Sequence, residues 1–227
     1  MKFFSRRFKK ERDEPESPIR WVHFDTSDWI ETMDSPTRIE WVSADKAADL
    51  SLDVTQSYWP VDNDQEMVRS CRALAEKNGG GLISAERAQL GPVSGTKLIY
   101  KRHLRPRGYV YTGMLIVPTR GFLFVIVMVS GETGMTGVRD ALVTGKLARE
   151  GKLEFEFFER PQADHSSGRI KGWFQDPFDP MYKGPVLRTI ADDEQYDSLC
   201  PNDPLSKVRR SLLKIQTSFG FDNAQLK

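Results

Sequence analysis

The chain has 227 residues, 39% hydrophobic and 29% charged, with a formal net charge of +1. This composition favours a single globular domain with a full hydrophobic core. A net charge near zero excludes an overall electrostatic attraction to nucleic acid or to an anionic membrane, so any such attraction must be local.

Cysteine usage and the N-terminal residues predict a cytoplasmic protein. Cys71 and Cys200 form neither a disulfide framework nor a metal motif; Cys71 fits an apolar helix face, and Cys200 is expected to be a free thiol in a polar loop. The basic Met1–Lys10 is followed by the acidic Glu11–Ser17 instead of the apolar segment of a signal peptide. The longest apolar run, Phe122–Val129, is too short to span a bilayer. No sequence motif indicates a cofactor.

Residues 1–18 are predicted to form a charged tail. Blocks of basic and then acidic residues bury too little apolar surface to offset the entropy of ordering, which favours disorder. In a helix, however, Phe4 and Phe8 would share one face among basic groups. The alternative is therefore a segment that contacts a membrane surface or a protein partner through Phe3, Phe4 and Phe8.

The domain is predicted to span residues 19–227 and to begin with strands. Ile19–Phe24 and Arg38–Val42 alternate in polarity and flank a turn at Asp34-Ser35-Pro36, and Leu50–Val54 is a shorter strand candidate. The first helix is predicted over 63–77, with Asp62 or Asn63 as its cap and three glycines at its end.

The next stretch is the most strand-like part of the chain. Short turns separate four predicted strands: Leu82–Leu90, Thr96–His103, Tyr109–Val117 and Phe122–Val129. Connections this short predict antiparallel neighbours. Phe122–Val129 is apolar on both faces and is expected to be a central strand covered on each side.

The C-terminal half contributes two predicted helices around an irregular insertion. Val138–Arg149 is expected to face the core with four residues: Val138, Ala141, Leu142 and Leu147. Leu153–Phe158 alternates like a half-buried strand with Phe155 inward, and residues 160–203 are rich in Pro, Asp and Gly. The last helix has Asp203 as its N-cap, Pro204 at its first position and an apolar face to pack on the sheet: Leu205, Val208, Leu212, Ile215 and Phe219.

The predicted fold class is α+β, an antiparallel sheet of about six strands with flanking helices, including a C-terminal amphipathic helix packed on the sheet. In element order this resembles the PsbP-like α/β/α sandwich over about residues 39–219, and residues 137–203 depart from that pattern. The resemblance is at fold level and implies a non-enzymatic binding or assembly factor.

Two segments are candidate contact surfaces. The segment 173–182 is rich in proline and carries four aromatic residues: Trp173, Phe174, Phe178 and Tyr182. It either packs on the sheet as a lid or presents an aromatic recognition surface. The hairpin 101–107 has five basic residues, among them Arg102, Arg105 and Arg107. It is interpreted as a solvated tip, with an acidic protein partner as the alternative and nucleic acid as the least favoured reading.

A third candidate is the glycine-rich segment 131–137, which lies between a predicted strand and a predicted helix. A phosphate could bind to backbone N–H groups there, but no nucleotide-loop motif is present and Glu132 would repel an anion. The preferred interpretation is therefore a plain turn with Thr136 as the helix N-cap and Arg139 in solvent, and a loop that binds an anion or a ligand is the alternative.

Catalytic motifs are absent from the sequence, and His165 with Asp176 is the first acid–base pair to consider. The preferred hypothesis is a non-catalytic cytoplasmic protein that acts through protein–protein contacts, in a role such as bacterial immunity or secretion. The alternative is a small-molecule binder or enzyme with a pocket between the sheet and the 131–137 and 173–182 loops.

Overall fold

The computed structural model describes residues 17–158 and 167–222. The strands of these residues are β1 (Val22–His23), β2 (Trp29–Asp34), β3 (Arg38–Ser43), β4 (Ala48–Thr55), β5 (Gly80–Leu90), β6 (Val93–His103), β7 (Tyr109–Pro118), β8 (Leu123–Gly131), β9 (Phe155–Phe158), β10 (Ser167–Ile170), β11 (Phe174–Gln175), β12 (Arg188–Thr189) and β13 (Gly220–Phe221). The α-helices are α1 (Asp64–Lys77), α2 (Val138–Arg149) and α3 (Pro204–Ser218). None of these helices is long and apolar enough to cross a membrane.

Seven strands form one antiparallel sheet in the order β2-β3-β4-β8-β7-β6-β5. The four strands predicted between residues 82 and 129 are neighbours joined by tight turns, which confirms the meander and the α+β class. β8 lies between β4 and β7 and is central, as predicted. Its two faces are not equally covered: Phe124, Ile126 and Met128 are fully buried, whereas Val127 and Val129 on the other face are half-buried.

The C-terminal helix α3 covers one face of the sheet, as the sequence predicts. Asp203 accepts a hydrogen bond from Leu205 N and caps the helix, and Pro204 occupies its first turn. The apolar face of α3 is buried in the main core cluster. Close approach depends on Gly113 of β7, because a Cβ there would lie 2.5 Å from Val208 Cγ1 and 2.6 Å from Leu212 Cδ1.

Helix α1 covers β5 and β6 on the opposite face. Asn63 accepts a hydrogen bond from Glu66 N and caps the helix, in agreement with one of the two predicted caps. Met67, Cys71 and Ala75 are buried against the sheet. Cys71 is therefore the core residue that its helix position predicts.

The N-terminal part of the chain differs from the prediction. Pro18–Trp21 is a 3-10 helix and only Val22–His23 is extended, because the proline favours a helical first turn over a strand. β2 was not predicted: it is an edge strand whose residues are all at least partly exposed, so it lacks the alternation of a half-buried strand. With β2 included, the sheet has seven strands where about six were predicted.

Helix α2 has the predicted bounds, but it presents a different face to the protein. Of the four residues predicted to face the core, only Leu147 is buried, together with Arg139 and Val143; Ala141 is exposed, and Val138 and Leu142 are 40% and 44% exposed. The helix is turned so that Arg139 enters a polar interior instead of pointing to solvent. The predicted inward strand at 153–158 is also wrong in orientation, because Phe155 is 54% exposed in the separate β9–β10 hairpin.

Candidate binding surface

The segment 173–182 is fixed at its start by a short ladder and a buried tryptophan. β11 pairs with β12 in antiparallel register. Trp173, which precedes β11, is 7% exposed. It belongs to an apolar cluster with four further buried residues: Val143, Leu147, Ala191 and Tyr196. The structure therefore places Trp173 beneath the surface, where it anchors the residues that follow.

Arg72 of α1 holds the rest of the segment against the helix. Its Nη2 donates to Asp176 Oδ1 at 2.6 Å, and its guanidinium carbon lies 4.7 Å from the centroid of the Tyr182 ring. The Tyr182 hydroxyl donates to the Glu76 carboxylate. Burial, together with this bond, raises the pKa of Tyr182 to about 12, so the phenol keeps its proton at neutral pH. An ion pair, a cation–π contact and a hydrogen bond thus fix the segment on α1.

The anchored segment exposes its remaining apolar side chains. Phe174 is 55% exposed, Phe178 42% and Met181 80%. Phe178 also lines a groove of about 790 Å³ between α1 and β5. Both apolar and charged side chains line this groove: Met67, Val68, Ala85, Asp64, Arg69 and Arg87. We call Phe174, Phe178, Met181 and this groove the aromatic surface.

Arg72→Met should loosen the segment while α1 stays folded. The substitution leaves the Asp176 carboxylate buried without its cation, at a cost of about 2 kcal/mol. We expect trypsin to cleave the native protein after the exposed Lys183 about thirtyfold faster, because about 2 kcal/mol makes local opening more frequent by that factor. Arg69→Met, an exposed arginine on the same helix, is the control. Equal cleavage rates in the two variants would contradict the proposed anchoring.

The tip of the β6–β7 hairpin exposes the three arginines that the sequence singles out: Arg102, Arg105 and Arg107. Arg102 pairs in register with Gly80, the first residue of β5. The tip therefore lies at the end of the sheet where α1 ends and β5 begins. Tyr182 contacts Glu76 in the last turns of α1. The basic tip and Tyr182 thus both lie near the C-terminal end of this helix, whereas Phe178 lies along its first half.

Lys101 does not belong to this basic tip, contrary to the count of five basic residues. Strand alternation turns its side chain to the α3 face, where it is fully buried. Its Nζ donates to Asp192 Oδ2 at 2.5 Å and lies 4.5 Å from the centroid of the Tyr109 ring. Thr189 N donates to the same carboxylate oxygen at 2.8 Å. Lys101 therefore ties β6 to the segment that follows β12.

Arg139, predicted to lie in solvent, is the centre of a buried polar network. It is 2% exposed, and its guanidinium donates to five groups: Ala191 O, Asp193 O, Asp197 Oδ1, Asp203 Oδ1 and Ser206 Oγ. Burial acts to lower the pKa of Arg139, but the bond to Asp197 and the charge of Asp203 raise it above its ordinary value. The sequence signal for this network was an excess of aspartates between residues 192 and 203. The signal could not identify Arg139 as their partner, because it lies more than fifty residues away in sequence.

The glycine-rich segment 131–137 binds a carboxylate of its own. Glu132 is 8% exposed and accepts hydrogen bonds from Gly137 N at 3.0 Å and Tyr109 N at 2.9 Å. The Gly137 N–H, one of the backbone donors of this segment, is therefore occupied by a carboxylate of the chain itself. The N-cap of α2 is Gly137, at a φ of 73°, and the prediction of Thr136 was wrong because this left-handed backbone favours glycine.

A cavity of about 300 Å³ does lie beside the 131–137 segment, but its other wall is formed by residues 200–207 instead of 173–182. Glu132, Arg139 and Asp203 line it, and all three are already hydrogen-bonded within the protein. Cys200 also lines it and is 7% exposed, with its pKa raised by burial, instead of lying open in a polar loop.

The predicted acid–base pair has no geometry to assess, because His165 lies outside the described residues. Asp176 is engaged by Arg72. Within residues 17–158 and 167–222, no group of three or more His, Cys, Asp and Glu side chains is arranged to hold a metal ion. The contact predicted for Phe3, Phe4 and Phe8 likewise falls outside the described part of the chain.

No protein-family model and no curated protein matches the chain. Similar solved structures include the Ran-binding protein Mog1p of Saccharomyces cerevisiae, at 10% identity over 88% of both chains and a TM-score of 0.45. Cyanobacterial PsbP from Synechocystis matches at 15% identity over 56% of this chain and 86% of its own, with a TM-score of 0.32.

A Bacteroides thetaiotaomicron protein matches at 15% identity over 53% of this chain, with a TM-score of 0.32, and the chain covers 42% of that protein. Cyanobacterial PsbP is thus among the structures that this chain is similar to. The likeness to PsbP is a fold-level resemblance, as the order of elements in the sequence predicts.

Proposed function

We propose that this chain is a non-catalytic protein-binding or assembly protein, and that its contact surface combines the aromatic surface with the basic tip at Arg102, Arg105 and Arg107. The observation that carries the proposal is the exposure of Phe174, Phe178 and Met181 on a segment whose base is held by a buried ion pair. Exposed apolar patches are typical of interaction sites, and these three apolar side chains lie within eight residues of one another in the chain.

The fixed backbone supports the same proposal. Ordering a loop on binding costs free energy, and a segment already held by Arg72 and Trp173 avoids much of that cost. Aromatic side chains in such a setting are the usual hot spots of an interface. The neighbouring arginines favour a partner whose matching surface is apolar at its centre and acidic at one side.

The test compares Phe174→Ser/Phe178→Ser with Leu213→Ser, because Leu213 and Phe174 are equally exposed, at 56% and 55%. Proteins that copurify with the intact chain are identified, and the purified partner is titrated into each variant by calorimetry. We expect the double variant to bind about 100-fold more weakly, from two hot-spot residues at about 1.4 kcal/mol each, while Leu213→Ser binds normally. An unchanged affinity in the double variant would rule out this surface.

A further inference from the structure

Helix α1 covers one end of its face of the sheet, at β5 and β6, and leaves the β3 and β4 end open. α1 packs on β5 and β6, and the loop residues Trp59 and Val61 pack at the start of β8. Beyond them, β3, β4 and the end of β8 form a shallow groove of about 450 Å³. Seven side chains on this face of the sheet line the groove, and we call them the open face: Arg38, Glu40, Asp49, Ser51, Asp53, Val127 and Val129.

The chemistry of the open face defines what it can bind. Three carboxylates and one arginine give it a net charge of −2. Arg38 is held between Glu40, at 2.6 Å, and Asp53, at 2.8 Å. Asp49 is exposed and has no ion pair with any described residue. Val129 lies directly opposite Asp49 in the register, so an apolar and an anionic group are neighbours. A ligand for this face needs apolar and cationic groups side by side.

The described chain begins next to this face. The Ser17 hydroxyl donates to Pro36 O, and Arg20 forms an ion pair with Asp34. Both contacts are made to the turn between β2 and β3, and β3 borders the groove. Residues 11–16 can span at most about 20 Å when extended, and an eight-residue strand such as β4 is about 26 Å long. Residues 1–10 therefore lie within reach of the groove.

We propose that residues 1–10 bind the open face of their own chain. The segment supplies the required chemistry, five cations and three phenylalanines: Lys2, Arg6, Arg7, Lys9, Lys10, Phe3, Phe4 and Phe8. Phenylalanine side chains cover Val127 and Val129, and the cations pair with the carboxylates around them. Tethering through Ser17 raises the effective concentration of the segment, so weak contacts suffice. This assignment competes with the membrane or partner contact predicted for the same phenylalanines.

The experiment uses the full chain with a nitroxide on a cysteine introduced at Ser5→Cys. Cys71 and Cys200 are 0% and 7% exposed, and burial raises the pKa of the Cys71 thiol to about 12, so the new cysteine reacts selectively. Paramagnetic broadening of valine methyl signals is then measured. We expect the signals of Val127 and Val129 to broaden. Asp49→Lys should reduce the broadening, since charge reversal weakens such a contact by about tenfold.

Glu194→Lys is the matched control, because it makes the same charge change at an exposed residue outside the open face. It should leave the broadening unchanged. Absence of broadening at Val127 and Val129 would overturn the proposal, and sedimentation of that protein with anionic phosphatidylserine vesicles would identify a membrane as the occupant. A mixture of spin-labelled and isotope-labelled chains provides the other test. If the broadening appears only between different molecules, the segment binds the open face of a second copy, and the proposed intramolecular contact is wrong.

Discussion

Replacing Arg139 with methionine is expected to lower the free energy of unfolding by about 3–5 kcal/mol. The guanidinium is 2% exposed and donates to five acceptors, two of which are the carboxylates of Asp197 and Asp203. Without it, the Asp203 carboxylate stays in an environment where burial already raises its pKa, and it loses its cation. Urea denaturation followed by tryptophan fluorescence measures the loss.

Arg149→Met is the control for this prediction, because it removes an exposed arginine from the last turn of the same helix. Among the described residues, the side chain of Arg149 donates one hydrogen bond, from its Nε to Gly145 O within the helix. We expect a change of less than about 0.5 kcal/mol, as for most surface substitutions. If the two variants lose equal stability, the buried network contributes nothing beyond a generic effect of losing an arginine.

Lys101→Met is expected to cost a similar amount, about 3–5 kcal/mol, and most of it should return when the partner charge is also removed. The single variant buries the Asp192 carboxylate without its cation. Adding Asp192→Asn removes that charge, while the amide oxygen still accepts a hydrogen bond from Thr189 N. The double variant should therefore be at least about 1 kcal/mol more stable than the sum of the two single losses predicts.

A double-mutant cycle in urea tests the coupling. Additive losses in the two single variants and the double variant would show that Lys101 and Asp192 do not stabilise each other. Lys97→Met provides a control on the same strand, since the Lys97–Glu86 pair is partly exposed. We expect a loss below about 1 kcal/mol there, because water screens exposed pairs.

The buried network also supports the proposed contact surface. Asp192 accepts from Thr189 of β12, and β12 pairs with β11 at the start of the aromatic segment. Ile190 N donates to Trp173 O at 3.0 Å. The charges that hold residues 189–192 on the sheet therefore also hold β12, whose Thr189 pairs with Phe174 in the ladder. Loss of Lys101 or Arg139 should consequently weaken partner binding as well as stability.

Several elements could be predicted from the sequence because their causes are local. Short turns between the strands from residue 82 to 129 impose antiparallel neighbours. The three- and four-residue spacing of Leu205, Val208 and Leu212, with the Asp203 cap, specifies both α3 and the face it buries. Arg102 could be assigned to a solvent-exposed tip for the same reason, since it follows directly from hairpin position.

The tertiary structure alone decided which charged residues are buried. Lys101 and Arg102 are adjacent in a basic run, and only strand alternation over a covered sheet sends one to Asp192 and the other to solvent. Arg139 is buried in place of the apolar Val138 and Leu142 because five acceptors surround it. Those acceptors lie 52 to 67 residues away in sequence, so the helix pattern could not predict the burial. Periodicity reports polarity along one element, whereas the free energy of burying a charge depends on partners that only the folded chain brings together.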